Sequence, residues 1–252
     1  MKIISSTLKI LLLATLSLIP SLKAAELNFY MEYATVPIAQ GFNAVGNQYV
    51  PTFPTNVTPT YLEYVIPYPA LGSMFYYYDQ GWYINTFDEF EIPPMWDPPH
   101  SINLSHGKGG WLLSPTNTSL VLFGKTPIGT VSQTVSNYSA NGFGNFHIIS
   151  SKLPKGGLLT TELGFVPNNG DIIYAPTNGG NGQSPYKIYL YGFPFQSWYP
   201  EEPIIPKYSW FFYRSLTPNS VTWTQTSSLI ETNDGRDFGI FENQPYDMVP
   251  RY

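Results

Sequence analysis

Two short acidic runs are the first residues whose spacing could support chemistry. Asp88, Glu89 and Glu91 form one, and Glu201 with Glu202 forms the other. Two carboxylates flanking a glycosidic bond hydrolyse it when held at a defined separation. Five acids on two loops set no such separation, so they read as solvated loop acids or a weak calcium site. His100 and His106 lie near Asp97 in D-P-P-H-S-I-N-L-S-H. A metal needs such ligands to converge, and this spacing follows no standard ligand motif. The run His106 to Gly110, H-G-K-G-G, lacks the glycine four residues ahead of G-K, and Gly follows Lys108 where a phosphate loop has Ser or Thr. It reads as a turn. No G-x-S-x-G elbow is present, and His147 sits inside a strand-like run. The chain is therefore expected not to be an enzyme and to carry no cofactor or metal.

The remaining candidates are aromatic. Trp82, Tyr83, Trp96, Trp198 and Tyr199 fall in or beside turn-rich segments near Asn and Asp. Exposed flat rings in such places can hold the CH faces of sugars. The plainer alternative is that most Trp and Tyr of a β protein are core or half-buried.

The elements that would position these side chains are strands. Of 252 residues, 12% are charged, about half the usual share. Aromatics make up 17%, and there are 24 Pro and 21 Gly. Long salt-bridged helices do not suit this composition, whereas short aromatic strands joined by Pro, Gly and Asn turns do. The length allows one large β domain or two of about 100 residues. The absence of cysteine excludes disulfides, thiolate zinc sites and cysteine nucleophiles, and in an exported protein it fits a bacterial envelope.

Met1 to Ala24 reads as a signal peptide. Lys2 and Lys9 form a positive start, and Ile10 to Leu22 is apolar but short for a bilayer span. Ala24 and Ala25 offer a small-residue cleavage point. Three of the 12 basic residues lie in this leader, which leaves nine against 17 acidic residues, a net of −8. Nucleic acid and anionic membrane surfaces are poor partners for such a chain. No second long apolar run follows. The mature chain is expected to be secreted or periplasmic, without a membrane span.

The mature chain reads as one unit used twice. Phe42 matches Phe146 and Val45 matches Ile149, both at an offset of 104. G-S-M-F-Y from Gly72 matches G-D-I-I-Y from Gly170 at 98, and W-Y-I-N-T-F from Trp82 matches Y-K-I-Y-L-Y from Tyr186 at 104. Trp96-Asp97-Pro98 matches Trp198-Tyr199-Pro200 at 102, Gly110 to Leu113 matches Ser209 to Phe212 at 99, and Ser119 to Leu122 matches Ser220 to Trp223 at 101. Alternation such as Val221, Trp223 and Gln225 against Thr222 and Thr224 marks strands. The expected fold is all-β: two tandem antiparallel units, sandwich- or barrel-like, at 25–125 and 141–230. A link at 126–140 joins them, as either a flexible linker or an extra strand, and a tail follows at 231–252.

At these blocks the chain resembles a group of exported bacterial proteins of the verrucomicrobial type. Their pattern runs N-L-I-S-x-P, G-D-x-I-Y, Y-x-x-Y, a Trp, and G-E-G-F-F before a T-W or T-F strand. The second unit has F-H-I-I-S-S-K-L-P, G-D-I-I-Y, Y-K-I-Y and W-Y-P-E-E-P, but K-Y-S-W-F-F replaces the Gly-rich last block. The first unit is more divergent, with H-G-K-G-G-W-L-L there. The resemblance implies an all-β exported module and brings no assigned catalytic residues. The leading expectation is thus a non-catalytic exported β-repeat protein in envelope structure or surface interaction, with a polysaccharide or another envelope protein as partner. The alternatives are a carbohydrate-binding module using the five rings, and a glycoside hydrolase using the loop carboxylates.

Overall fold

Short runs of Tyr, Phe, Val and Ile broken by Gly, Pro and Asn form strands because aromatic and β-branched side chains pack well on a pleated surface. The computed structural model describes residues 32–50, 60–88, 94–136, 146–177, 185–192, 194–217 and 219–227. The expected leader and tail, Glu89, Glu91 and most of the Pro51 to Thr60 loop lie outside them. The described residues form antiparallel open sheets and one helical turn, α1 (Leu62–Val65). The fold class is all-β.

The first run of strands is β1 (Glu32–Ile38), β2 (Gly41–Gly46), β3 (Met74–Tyr78), β4 (Trp82–Asp88), β5 (Met95–Asp97), β6 (Gly109–Ser114) and β7 (Thr118–Gly124). The second is β8 (Thr130–Val135), β9 (Phe146–Ser150), β10 (Gly157–Leu158), β11 (Ile172–Pro176), β12 (Tyr186–Gly192), β13 (Ser197–Tyr199), β14 (Ile204–Ile205), β15 (Trp210–Arg214) and β16 (Val221–Thr226). The two five-stranded sheets have the orders β2-β6-β3-β4-β5 and β9-β15-β11-β12-β13. Chain path and neighbours therefore correspond strand for strand. Likewise β1 pairs with β7 and β8 with β16. The short β10–β14 pair sits where Tyr61 bridges to Asn103 in the first run. The stretch 126–140 thus contains a strand, β8, that belongs to the second run.

The ladders refine one sequence match. Val45 faces Gly110 in one sheet and Ile149 faces Phe211 in the other. This relates Gly110 to Phe211 at an offset of 101, not the 99 read from the apolar pattern. A slip of two residues keeps every side chain on its face, so alternation alone cannot detect it.

Packing produces three cores in sequence. Phe75, Tyr77, Phe87 and Leu112 of the first five-stranded sheet pack against Ala34, Leu120 and Leu122 of the β1–β7 pair. Ile149, Ile173, Phe211 and Tyr213 of the second pack with Val135, Val221 and Trp223 of the β8–β16 pair. The opposite faces of the two large sheets meet in a joint built from Trp111, Ile148, Trp210 and Phe212. The Trp111 ring lies 5.2 Å from Trp210 and 5.8 Å from Tyr186, and its N–H donates to the Tyr186 hydroxyl at 3.0 Å. Phe212 lies 6.0 Å from Tyr78 and 6.3 Å from Trp82. Two backbone bonds tie the halves in a reciprocal pattern: Gly46 N–H to the Tyr208 carbonyl and Ser150 N–H to the Gly107 carbonyl, each at 2.7 Å. A Cβ on Gly109 would stand 2.7 Å from the Trp210 Cβ. Glycine is therefore required there for the indole to reach the Gly110 carbonyl, to which its N–H donates at 2.6 Å.

Candidate binding surfaces

The five aromatic candidates do not form one platform. Trp96 and Trp198 are the middle residues of three-residue strands whose centres point inward, and they are 1% and 9% exposed. Trp96 Nε1 donates to the Ile66 carbonyl at 2.7 Å and Trp198 Nε1 to the Thr160 hydroxyl at 2.8 Å. A buried indole with its N–H satisfied stabilises the core by a few kcal/mol and has no face left for a sugar. For these two residues the exposed-platform expectation is corrected. Trp82 is 53% exposed and Tyr199 75%. Tyr83 is exposed too, but it alternates with Trp82 and so lies on the other face of β4, paired with Tyr77.

A different surface emerges beside the joint. Ile84 pairs with Tyr76 and Ile188 with Tyr174, each at the corresponding place in its sheet and on the joint-facing side. The joint covers Trp111 and Phe212 but leaves Ile84 48% and Ile188 55% exposed, alongside Phe42, Trp82 and Leu190. Phe42 lies against Tyr76 and Trp111, as Phe146 does against Tyr174 and Phe212. Sequence reasoning passed over these aliphatic residues because both parities of β4 and β12 are rich in large side chains. The signal present was that doubling itself, which marks a strand apolar on two faces.

The acids have local duties. Glu202 accepts from the Thr160 and Thr161 N–H groups at 2.6 and 2.7 Å and from the Thr161 hydroxyl at 2.6 Å. Glu201 pairs with Lys187, and His100 pairs with Glu63. Asp88 ends β4. Asp97, His100 and His106 do not gather, and no cluster of three or more metal-ligating side chains occurs among the described residues.

His106 and His147 do come together with two lysines. A cavity of about 400 Å³ is bounded by His106 and Lys108 before β6, by Ser132 to Val135 of β8 and the following Ser136, by His147 and Ile149 of β9, and by Lys152. His106 Nε2 donates to the Lys152 carbonyl at 2.7 Å. Burial pulls the His106 pKa down to about 4, and the neighbouring Lys152 ammonium acts in the same direction. Burial, then Lys108, lowers the pKa of His147, against a hydrogen bond to the Ser136 backbone and the field of Asp79. Lys152 is lowered by burial and by Lys108, and its Nζ donates to the Ser132 carbonyl at 2.8 Å. Sequence spacing gave no hint of this group, because its members are separated along the chain by up to 46 residues and meet only through the packing of the two halves.

Compared with protein-family models, curated proteins and solved structures, the chain has no match.

Proposed function

We propose that the chain is an exported, non-catalytic β-repeat protein, two copies of one unit, acting through a protein-contacting surface in the envelope. The observation that carries this reading is the uncovered apolar margin of the joint, centred on Ile84 and Ile188. Exposed aliphatic side chains where β4 and β12 run on past their short partners β5 and β13 cost hydration free energy, and apolar side chains left uncovered in this way mark interaction sites. Their aliphatic centre suits a protein partner better than a sugar. The corresponding strand orders support the duplicated unit.

A photo-cross-linker placed at position 188 in the exporting cell is expected to give one discrete protein adduct, reproduced from position 84. A cross-linker at Tyr68, exposed on another part of the chain, should not give it. Adducts as varied as those from Tyr68 would refute the reading. The exposure of Trp82, Tyr83 and Tyr199 favours a second reading, carbohydrate binding. Saturable quenching of tryptophan fluorescence by one glycan, lost in Trp82→Ala, would favour that alternative.

A further inference from the structure

We propose that the cavity between the halves binds a tetrahedral oxyanion, a sulfate or phosphate group, held by Lys108, Lys152 and His147. Lys108 and Lys152 both line it, and among the described residues neither has a carboxylate partner. Two ammonium groups that disfavour one another electrostatically are what an anion neutralises.

The wall formed by β8 supplies a further donor. Ser132 and Thr134 hold alternate positions of β8 and Ser136 directly follows its end, and the Ser132 carbonyl accepts from Lys152 on the side away from β16. The hydroxyls of Ser132 and Thr134 meet those of Thr224 and Thr222 at 2.9 Å, as in the close pairs that exchange no backbone bonds. The Thr134 N–H is therefore directed at the cavity, as an edge strand offers its free groups.

The His147 ring completes the set. One ring nitrogen is bonded to the Ser136 backbone, while Nε2 is buried with no partner among the described residues. An unpartnered buried nitrogen is costly. A bound oxyanion resolves this by drawing a proton onto Nε2, which then donates to it. The groups facing the ring are Lys108, Lys152 and His106 around the cavity, the Asp79 carboxylate from the β3–β4 turn, and Tyr213 across the ladder. Tyr213 is already engaged with Asp171 at 2.9 Å. Asp79 opposes an anion and favours the ring proton.

The corresponding place in the other half has no such set. Gly107 has φ +87 and a Cβ there would meet Gln133 and Lys152, whereas its counterpart Tyr208 has φ +61 and packs on Tyr49. The counterparts of His147 and Lys152 are Asn43 and Gln48. The site is single.

The test is calorimetric titration of the purified chain at fixed ionic strength with sodium sulfate, sodium phosphate, a sulfated galactan oligosaccharide and its desulfated form. Saturable binding that weakens at least about tenfold in Lys108→Glu supports the proposal. Response to the inorganic ions identifies a free anion as the source, and response to the sulfated sugar alone identifies an ester. Affinity that rises about threefold from pH 8 to pH 6, and is flat in His147→Asn, assigns the ring. No saturable heat with any titrant overturns the proposal, as does binding that Lys108→Glu leaves intact. A variant that loses its fold, seen by circular dichroism, is replaced by Lys108→Gln under the same criterion.

Discussion

His106, half-buried, and Asp171, fully buried, are titratable groups whose shifts have opposite consequences. The His106 pKa falls from 6.5 to about 4 on folding, chiefly through burial. Between those values the unfolded chain binds more protons than the folded one, so stability is lost as the pH drops through that window. Urea unfolding should show a loss of about 2–3 kcal/mol between pH 7 and pH 4.5 from this group, and His106→Gln should remove that share of the slope. Asp171 is fully buried, and burial raises its pKa despite bonds from the Asn168 N–H at 2.7 Å and the Tyr213 hydroxyl at 2.9 Å. Its folded form holds a proton more readily than its unfolded form, so its contribution becomes more favourable as the pH falls through the carboxylate range. At neutral pH Asp171→Asn keeps an acceptor and removes the buried charge, and its melting temperature should equal or exceed wild type. Asp171→Ala removes the acceptor that the Tyr213 hydroxyl and the Asn168 N–H share and should cost about 2–4 kcal/mol in the same melt.

Between the sheets, tolerance is set by how closely backbone meets side chain. Gly109→Ala places a methyl group against Trp210, and chemical denaturation should register a loss of about 1–3 kcal/mol. Gly81→Ala, where a Cβ meets nothing within 4 Å, is the matched control and should stay within about 0.5 kcal/mol. Strand identity was legible from sequence: V-T-W-T-Q-T alternates, Y-K-I-Y-L-Y is dense in strand-forming aromatic and β-branched residues, and both are strands. The Gln80-Gly81 turn was equally legible, since β3 and β4 pair around it. Two things were not. Alternation states that Trp96 and Trp198 point opposite to their neighbours but not which side is covered, and the covering segments come from α1 and the 158–163 turn, remote in sequence. The cationic cavity was equally hidden, because Lys108 and Lys152 become neighbours only when the halves dock.

At the level of the whole molecule, the joint is expected to couple the unfolding of the halves. Trp111, Trp210 and Phe212 lie between the sheets, so unfolding either half exposes them from both. Calorimetry should show a single transition whose van't Hoff and calorimetric enthalpies agree; two resolved transitions would mean that the joint contributes little. The Gly109–Trp210 contact has one more consequence. The ladders relate these two positions to each other, one residue being the smallest available and the other the largest. Two identical half-chains meeting the same way would bring glycine to glycine or indole to indole, a void or a collision. The knob and its socket have to differ, and a chain that carries both strand runs supplies one of each. Expressed as separate polypeptides, the halves should therefore seek each other and refuse themselves, an obligate heterodimer concealed within one chain.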